Sequence, residues 1–421
     1  MNIPFYIICS LIVFSPLAKG SVHPWATTII QIGIILAAIF QLIQHPKPNN
    51  KYPLTSIQNP LSSTQYPLTK PITAIILLCI LSFIFSTHKP FALEGLFMLL
   101  TYIAAYFITL SSIQTRKQQR ILVYVIISTA ILISIIAILK QLDINPFPWW
   151  DYPGYNNSFA GPYVNRNHMA GFLDMAIPML TVLFITRQRS LEITTGMILV
   201  IIFLLTSQAF TLSRGGWVST ITAILFIAGV LLAQKDYVHK KVILTIGISV
   251  TIISLFILSS LPVVQRITTL TQQDPVDTLS SRIRCWQGAI DQIKENLMIG
   301  TGPDSFAVEY PAYQLPGYAV LFRYAHNDYL HFISETGILL IPIMIFTLFC
   351  FFRSGFQKLT SHSRQKRGFA LGAMAGVFAI LIHSFSDFNL NIPANALLFS
   401  ILAGIAVQDS MKSHNKPISQ A

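Results

Sequence analysis

Charged residues are scarce in this chain. Asp, Glu, Lys and Arg make up 10% of the 421 residues, against roughly 25% in soluble domains, while hydrophobic residues make up 53%. The apolar residues form runs close to the 20 or so residues that a helix needs to cross a bilayer. This composition argues against a soluble domain and predicts an all-α polytopic membrane protein.

Cysteine is also rare, and its distribution argues against a disulfide framework or a redox site. Three of the four cysteines, Cys9, Cys79 and Cys350, lie inside apolar runs, Cys285 has no evident partner, and no CxxC spacing occurs. The polar segments between the runs carry no cluster of His, Cys and carboxylate residues at ligand spacing. We therefore expect no metal and no cofactor.

Acidic residues are outnumbered by basic ones, 16 against 28, which gives a formal net charge of +12. A basic balance can indicate nucleic-acid binding, but here the Lys and Arg residues form short clusters between apolar runs. That is the pattern of cytoplasmic loops beside anionic lipid. The charge therefore indicates membrane topology, and no nucleic-acid partner is expected.

The apolar runs predict about twelve membrane spans and one large loop. Most Lys and Arg residues fall on one side of these spans, so the positive-inside rule places both termini in the cytoplasm. We divide the chain into an N-terminal bundle (1–260), a large outer loop with amphipathic helices (261–336), and C-terminal spans with a short cytoplasmic tail (337–421). The predicted spans are 3–18, 26–44, 71–87, 91–112, 121–139, 167–186, 191–208, 215–233, 242–260, 337–352, 368–385 and 393–408.

The outer segments have recognisable local patterns. Residues 145–165 are rich in aromatic and turn residues, which suits either an interfacial belt or a sugar-stacking surface. Farther on, Ser280 or Ser281 can cap a helix that runs to about Asn296. Its predicted apolar face, along the membrane surface, consists of Ile283, Trp286, Ile290, Ile293 and Leu297.

Rare polar residues collect at span ends on the outer side, although they are far apart in sequence. Arg214 lies between the seventh and eighth spans, His326 begins the tenth, and Asp387 lies between the eleventh and twelfth. Two more groups are at the start of the sixth span and of the outer helix. These are Arg166, Asn167 and His168, and Arg282 and Arg284.

Each of these residues also has a structural alternative. Arg214 could be an interfacial arginine, but Gly215 and Gly216 beside it would let a ligand approach the backbone. His168 and Asp387 could cap or cross-link helix ends. Glu335 lies nine residues after His326, about half a turn round an ideal helix, and is therefore better placed to contact His331.

Two or three arginines beside one histidine predict binding of a phosphate-rich anion with one general base or orienting group. At least one of Arg282 and Arg284, which both begin the same predicted helix, is expected to be among these arginines. Cations are disfavoured at a helix N-terminus unless an anion offsets them, so an anionic ligand is expected nearby. ATP is not available on the outer side, and a lipid-linked pyrophosphate is a plausible donor.

The same residues carry a resemblance. The pattern His326-Asn327, Leu330, Glu335 and Gly337 after a large outer loop resembles the signature of the bacterial O-antigen ligase superfamily, which includes O-antigen ligases, O-antigen polymerases and protein O-oligosaccharyltransferases. The resemblance covers about 160 to 395. Its other motifs are 213–217 (SRGGW), 162–171 (PYVNRNHMAG), 387–395 (DFNLNIPAN), and the run Arg284, Trp286, Ala289, Gly300, Gly302 and Phe306.

The resemblance implies a GT-C-type glycosyltransferase of the bacterial inner membrane that uses an undecaprenyl-diphosphate-linked glycan, without metal, at the periplasmic face. By position, Arg214 and Arg284 would hold the diphosphate, and Arg282 is the substitute for Arg284. His326 would activate or orient the acceptor hydroxyl, and the transfer would invert the anomeric centre. The assigned substrate-binding residues are Arg282, Arg166, His168, Asn327 and Asp387.

The branch of the superfamily remains open. The single large outer loop favours a ligase or a polymerase over a protein O-oligosaccharyltransferase, and the His-Asn-x-x-Leu pattern favours a ligase that transfers glycan to lipid A core. A polymerase, whose acceptor is another lipid-linked glycan, and a protein O-oligosaccharyltransferase are the alternatives. A lipid-linked glycan transporter is a different class, for which charged groups at mid-membrane are expected. Glu94, Asp174 and Glu192 are the few acids in or at the ends of spans, and the sequence shows no cluster of charged groups at mid-depth.

Overall fold

The computed structural model describes residues 2–44, 66–144, 158–186, 190–233, 279–316 and 321–408. These ranges contain helices, turns and loops but no β-strand. The ninth predicted span, 242–260, and most of the aromatic segment 145–165 lie outside the described residues.

The helices follow one another in the order that the apolar runs predicted. They are α1 (Ile3–Leu17), α2 (Pro24–Gln44), α3 (Thr69–Phe85), α4 (Lys89–Ser112), α5 (Arg116–Gln141), α6 (Arg166–Ile185), α7 (Leu191–Phe210), α8 (Arg214–Ala233), α9 (Leu279–Glu295), α10 (Phe306–Glu309), α11 (Asp328–Thr336), α12 (Leu340–Lys358), α13 (Arg364–His383) and α14 (Pro393–Val407).

Eight helices in the described ranges are long and apolar enough to cross a bilayer, as expected for a polytopic membrane protein. They are α2, α4, α5, α6, α7, α8, α12 and α13. Three shorter apolar helices, α1, α3 and α14, coincide with the remaining predicted spans in these ranges. The total of about twelve spans stays a prediction.

Helices α6 and α13 form the centre of the bundle. In α6, 89% of the apolar window is buried inside the protein, and in α13 78%, against 22% in α2 and in α12. Small residues allow the two central helices to pack closely: a side chain at Gly376 of α13 would meet the Met175 carbonyl of α6. The ends of α6 and α13 are therefore held in fixed positions relative to each other.

The outer helices expose large apolar side chains. Leu42 of α2, Leu191 of α7 and Ile345 of α12 are each more than 60% exposed. Single exposed apolar residues are common in proteins, but entire exposed apolar helices require a lipid environment. The described bundle thus has a packed interior surrounded by lipid-facing helices.

Helix α9 forms almost where its pattern predicts, from Leu279 instead of Ser280 or Ser281 and to Glu295 instead of Asn296. Its buried face is, however, the one with smaller side chains, made of Ser281, Cys285, Ala289 and Gln292. Ile283, Ile290 and Leu297 of the predicted apolar face are more than 40% exposed. The apolar face therefore points away from the protein, as a helix lying along a membrane surface requires.

His326 does not begin the tenth span, which corrects the sequence prediction. It precedes α11, a separate helix of nine residues that ends at Gly337, and the span α12 starts only at Leu340. Gly337 has φ 81°, and a Cβ there would lie 2.2 Å from the Met298 carbonyl oxygen. Only glycine suits this position, and its left-handed backbone conformation ends α11 before α12 begins.

Candidate active site

A polar cavity of about 180 Å³ lies where the N-terminal ends of α6 and α8 meet the C-terminal end of α13. The lining comes from four helices and two interhelical loops, drawn from four separate parts of the sequence. The lining residues are Arg166, Asn167, Leu212, Ser213, Arg214, Gly215, Arg282, His383, Ser386 and Asp387.

Three arginines line this cavity, and each comes from a different helix. Arg166 and Arg214 are the first residues of α6 and α8, and Arg282 lies in the first turn of α9. The helix macrodipole adds partial positive charge at the N-terminal ends of α6 and α8. The cavity therefore concentrates positive charge, which suits a phosphate-bearing ligand.

Asp387 is the acidic group among these cations. Its carboxylate oxygens lie 3.8 Å from Arg282 Nη2, 3.8 Å from His326 Nδ1 and 3.9 Å from His168 Nε2. Burial opposes ionisation of this carboxyl, but the charges of Arg282, His326, His168 and His383 prevail and lower its pKa to about 2. Asp387 is thus a fixed negative charge that holds several basic groups near the cavity.

His326 lies at the edge of this cluster and has an unusual backbone conformation. Its φ is 50°, in the left-handed region that non-glycine residues rarely adopt. Its ring packs edge-on against Phe388, with ring centroids 4.8 Å apart, and Phe388 in turn stacks on Tyr324. Strained conformations of this kind concentrate at functional sites, and the aromatic packing fixes the orientation of the imidazole.

Arg284 lies outside the cavity in this structure. It is exposed and donates a hydrogen bond to the Pro316 carbonyl oxygen at 3.0 Å. Arg282 instead lines the cavity and donates to the Ser386 carbonyl. Of the two arginines left open by the sequence, the cavity includes Arg282.

Asn327 and His168 have evident structural contacts. Asn327 caps α11, because its Oδ1 accepts from Leu330 N at 3.1 Å, and its Nδ2 donates to the Phe385 carbonyl. His168 is buried against Phe388, and neither residue is among those lining the cavity. The His-Asn-x-x-Leu spacing therefore corresponds to a helix cap directly after His326.

Two of the sequence motifs form one hydrogen-bonded network. Asn395 donates from Nδ2 to the His168 carbonyl and to Asn389 Oδ1, each at 2.9 Å, and Tyr163 donates to Asn395 Oδ1 at 3.1 Å. A Cβ at Gly171 would lie 2.2 Å from Asn389 Oδ1, so α6 can pack against this network at that position only with a glycine. The network ties the segment containing Asp387 to the start of α6.

The paired glycines after Arg214 allow close packing. A Cβ at Gly216 would lie 2.6 Å from Gln208 Nε2, and one at Gly215 would lie 2.4 Å from Ser386 Oγ. Gly216 is buried, whereas Gly215 also lines the cavity. A ligand in the cavity would therefore meet the backbone at Gly215, whereas Gly216 allows neighbouring helices to pack closely.

The predicted contact between Glu335 and His331 is confirmed. Glu335 Oε1 lies 3.2 Å from His331 Nε2, one helical turn away in α11, and accepts from Phe306 N at 3.1 Å. Beneath α9, Cys285, Ala289, Phe306, Tyr310, Phe322 and Ala325 form a small second core. Glu335 and Phe306 thus stabilise the outer segment.

The sequence interpretation missed His383. This residue ends α13, and its Nδ1 lies 2.7 Å from Oδ2 of Asp174 in α6. The sequence places Asp174 inside a predicted span, and an acid in that position requires a partner. That requirement was the available signal, but the partner is 209 residues away and ends a different helix.

No group of three or more His, Cys, Asp or Glu residues that could hold a metal ion occurs in the described ranges. A family model described as O-Antigen ligase matches residues 199–345. A search of curated proteins found no match. This match over residues 199–345 confirms the resemblance to the O-antigen ligase and polymerase superfamily that the motifs indicate.

Proposed function

We propose that this chain is an O-antigen ligase-like glycosyltransferase. It moves a glycan from undecaprenyl diphosphate to lipid A core at the periplasmic face of the bacterial inner membrane, with inversion and without a metal. We further propose a GT-C-type arrangement of about twelve spans, with both termini cytoplasmic. The single observation that carries the proposal is the convergence of Arg166, Arg214 and Arg282 on one cavity.

The arginines would hold the diphosphate of the donor. Guanidinium groups match phosphate oxygens in bidentate geometry, and charge that develops on the leaving diphosphate would be stabilised by groups already in place. A diphosphate is a good leaving group, so positioning and charge stabilisation supply most of what the reaction needs. Arg214 and Arg282 have this role in the cavity, and Arg284 is the remaining candidate from the loop.

His326 would act on the acceptor. Asp387 lies 3.8 Å from Nδ1, which favours a proton on Nδ1 and leaves Nε2 to accept the proton of the acceptor hydroxyl. The hydroxyl oxygen then attacks the anomeric carbon as the bond to the diphosphate breaks. Attack opposite the leaving group gives inversion.

An apolar cavity supports a lipid-linked donor. It has a volume of about 310 Å³ and is formed by side chains of α3, α4, α11, α12, α13 and α14. Leu381 and Leu390 line it, while His383, Ser386 and Asp387, from the same stretch of chain, line the polar cavity. A diphosphate in the polar cavity and a polyprenyl chain in the apolar one would thus be bound on either side of residues 381–390.

Two other branches of the superfamily share this donor site. A polymerase would use a second lipid-linked glycan as acceptor, and a protein O-oligosaccharyltransferase would use a Ser or Thr hydroxyl. A transporter is a further class, which would require charged groups at mid-membrane. The buried Asp174 and His383 pair is one such group, but its contact with the polar cavity associates it with the proposed transfer site.

The lipopolysaccharide banding pattern of a deletion strain distinguishes these functions. A ligase predicts glycan-free core together with accumulated lipid-linked polymer, restored by the wild-type gene. A core that carries one repeat would indicate a polymerase. Normal lipopolysaccharide with an unglycosylated outer protein would indicate the protein transferase.

A further inference from the structure

His383 and Asp174 form a buried pair to which the transfer chemistry above gives no role. The His383 Nδ1 to Asp174 Oδ2 distance is 2.7 Å, and both side chains are at most 1% exposed. Asp174 lies eight residues into α6, roughly 12 Å along the helix from its first residue. An ionisable pair at this depth is costly and calls for a functional explanation.

Two other helices fix the carboxylate. Gln208 of α7 donates from Nε2 to Asp174 Oδ1 at 2.8 Å, and Thr220 of α8 donates from Oγ1 to the same atom at 2.7 Å. His383 occupies the other oxygen, so both carboxylate oxygens have close contacts within the protein. Asp174 therefore acts on the cavity through the orientation and charge of the His383 ring.

The second ring nitrogen of His383 faces the cavity. His383 is a lining residue, and its Nε2 lies 3.5 Å from Ser213 Oγ, at the outer limit for a hydrogen bond. A Cβ at Gly215 would lie 2.8 Å from Nε2, so only a residue without a side chain allows the start of α8 to pack this closely against the ring. Nε2 is thus held at the cavity without a close hydrogen bond to Ser213.

We propose that His383 is a further anion-binding residue of this cavity, which donates its Nε2–H to a phosphate oxygen of the donor. This inference rests on the proposed function, because the ligand is the diphosphate assigned to the cavity. Because Nδ1 contacts the Asp174 carboxylate, the ring has a carboxylate on one side and would have the anion on the other, so a proton on each nitrogen would be shared with an oxygen. His383 then supplies a donor of fixed direction, in contrast to the longer and more mobile arginine side chains.

Two substitutions separate the two ring nitrogens. His383→Asn places an amide near Nδ1, where it can still contact Asp174, but it offers no donor to the cavity. His383→Gln places an amide near Nε2 and keeps a donor for the anion. His362→Asn, at an exposed histidine just before α13, is the matched control.

Binding of inorganic pyrophosphate and of undecaprenyl diphosphate is measured by calorimetry on the purified full-length protein. We expect His383→Asn to weaken both affinities by about tenfold, the usual scale for loss of a charge-assisted hydrogen bond, and His383→Gln by about threefold or less. His362→Asn should bind like the parent. Pyrophosphate binding tests the headgroup site, and undecaprenyl diphosphate tests the same site with its lipid attached.

The arginine variants make failure of the two proposals distinguishable. If Arg214→Ala and Arg282→Ala lose binding while His383→Asn binds like the parent, the role of His383 is overturned and the cavity keeps its proposed function. If the arginine variants also bind like the parent, both proposals fail. Should His383→Asn not fold, His383→Ala takes its place: a tenfold loss of affinity that His383→Gln does not share supports the proposal, and affinity of His383→Ala close to that of the parent overturns it.

Discussion

Asp387 and Asp328 are both buried carboxylates near the same end of the bundle, but their surroundings are opposite. Asp328 accepts short hydrogen bonds from Ser384 Oγ, Leu390 N and Asn391 Nδ2, at 2.7 to 3.0 Å. Asp387 has Arg282 and two histidines at 3.8 to 3.9 Å, and its Oδ2 accepts no hydrogen bond from the described residues.

This difference indicates a structural role for Asp328 and is consistent with the proposed role of Asp387 at the site. Burial raises the pKa of Asp328 to about 6, although its hydrogen bonds and the charge of His331 oppose the shift. The cations around Asp387 instead lower the pKa of that group to about 2, despite its burial. Asp328 joins α11 to the loop after α13, whereas Asp387 keeps basic groups together beside a cavity, at the cost of an incompletely hydrogen-bonded carboxylate.

The largest effect is expected for the histidine that Asp387 contacts. If His326 is the base toward the acceptor hydroxyl, His326→Ala should lower the single-turnover rate by roughly 10²–10⁴-fold and leave donor affinity nearly unchanged. Rates and donor affinity are measured on purified protein whose melting temperature matches the parent. A variant that loses donor affinity but keeps its rate would show that His326 binds the diphosphate and does not act as a base.

A smaller effect on catalysis should distinguish the two acids themselves. Asp387→Asn removes the negative charge that orients His326 and Arg282, so we expect turnover to fall by at least about tenfold. Asp328→Asn should leave turnover per folded molecule within about threefold of the parent, because Asp328 contacts neither His326 nor an arginine of the cavity. Equal losses of turnover in the two variants would contradict different roles for Asp387 and Asp328.

The smallest effect is a change in stability with pH. The pKa of Asp328 is raised in the folded protein, so its protonation stabilises the fold fully below about pH 4 and this contribution is lost as the pH rises through about 6. Asn does not titrate. The melting temperature of the parent, relative to Asp328→Asn, should therefore rise as the pH is lowered from 7 to 4; a constant difference would contradict the raised pKa.

The sequence was sufficient for most of the helices and for the gathering of distant polar residues. Apolar runs locate the spans because lipid requires every backbone polar group to be hydrogen-bonded within a helix. Loop charge placed Arg166, Arg214, Arg282 and Asp387 on one face, and the structure brings all four to one cavity. A single physical rule thus constrains residues more than 200 positions apart.

Other features depend on tertiary packing that no local pattern contains. The choice between Arg282 and Arg284 depends on the rotation of α9, whose buried face is the one with small residues. The break after α11 depends on the contact between Gly337 and Met298. The His383 and Asp174 pair joins two helices that are remote in sequence. The one sequence signal for this pair is that an acid buried in a span requires a partner.

The central claim is that the cavity arginines bind the donor diphosphate, and the affinity of Arg214 variants for undecaprenyl diphosphate tests it most directly. Arg214→Lys keeps the charge but loses the bidentate fork, so binding should weaken by about tenfold or more, and Arg214→Ala should nearly abolish it. Arg353→Ala, at an exposed arginine of α12, is the control and should bind like the parent. An Arg214→Ala protein that is folded and binds the donor as tightly as the control would contradict the assignment of this cavity.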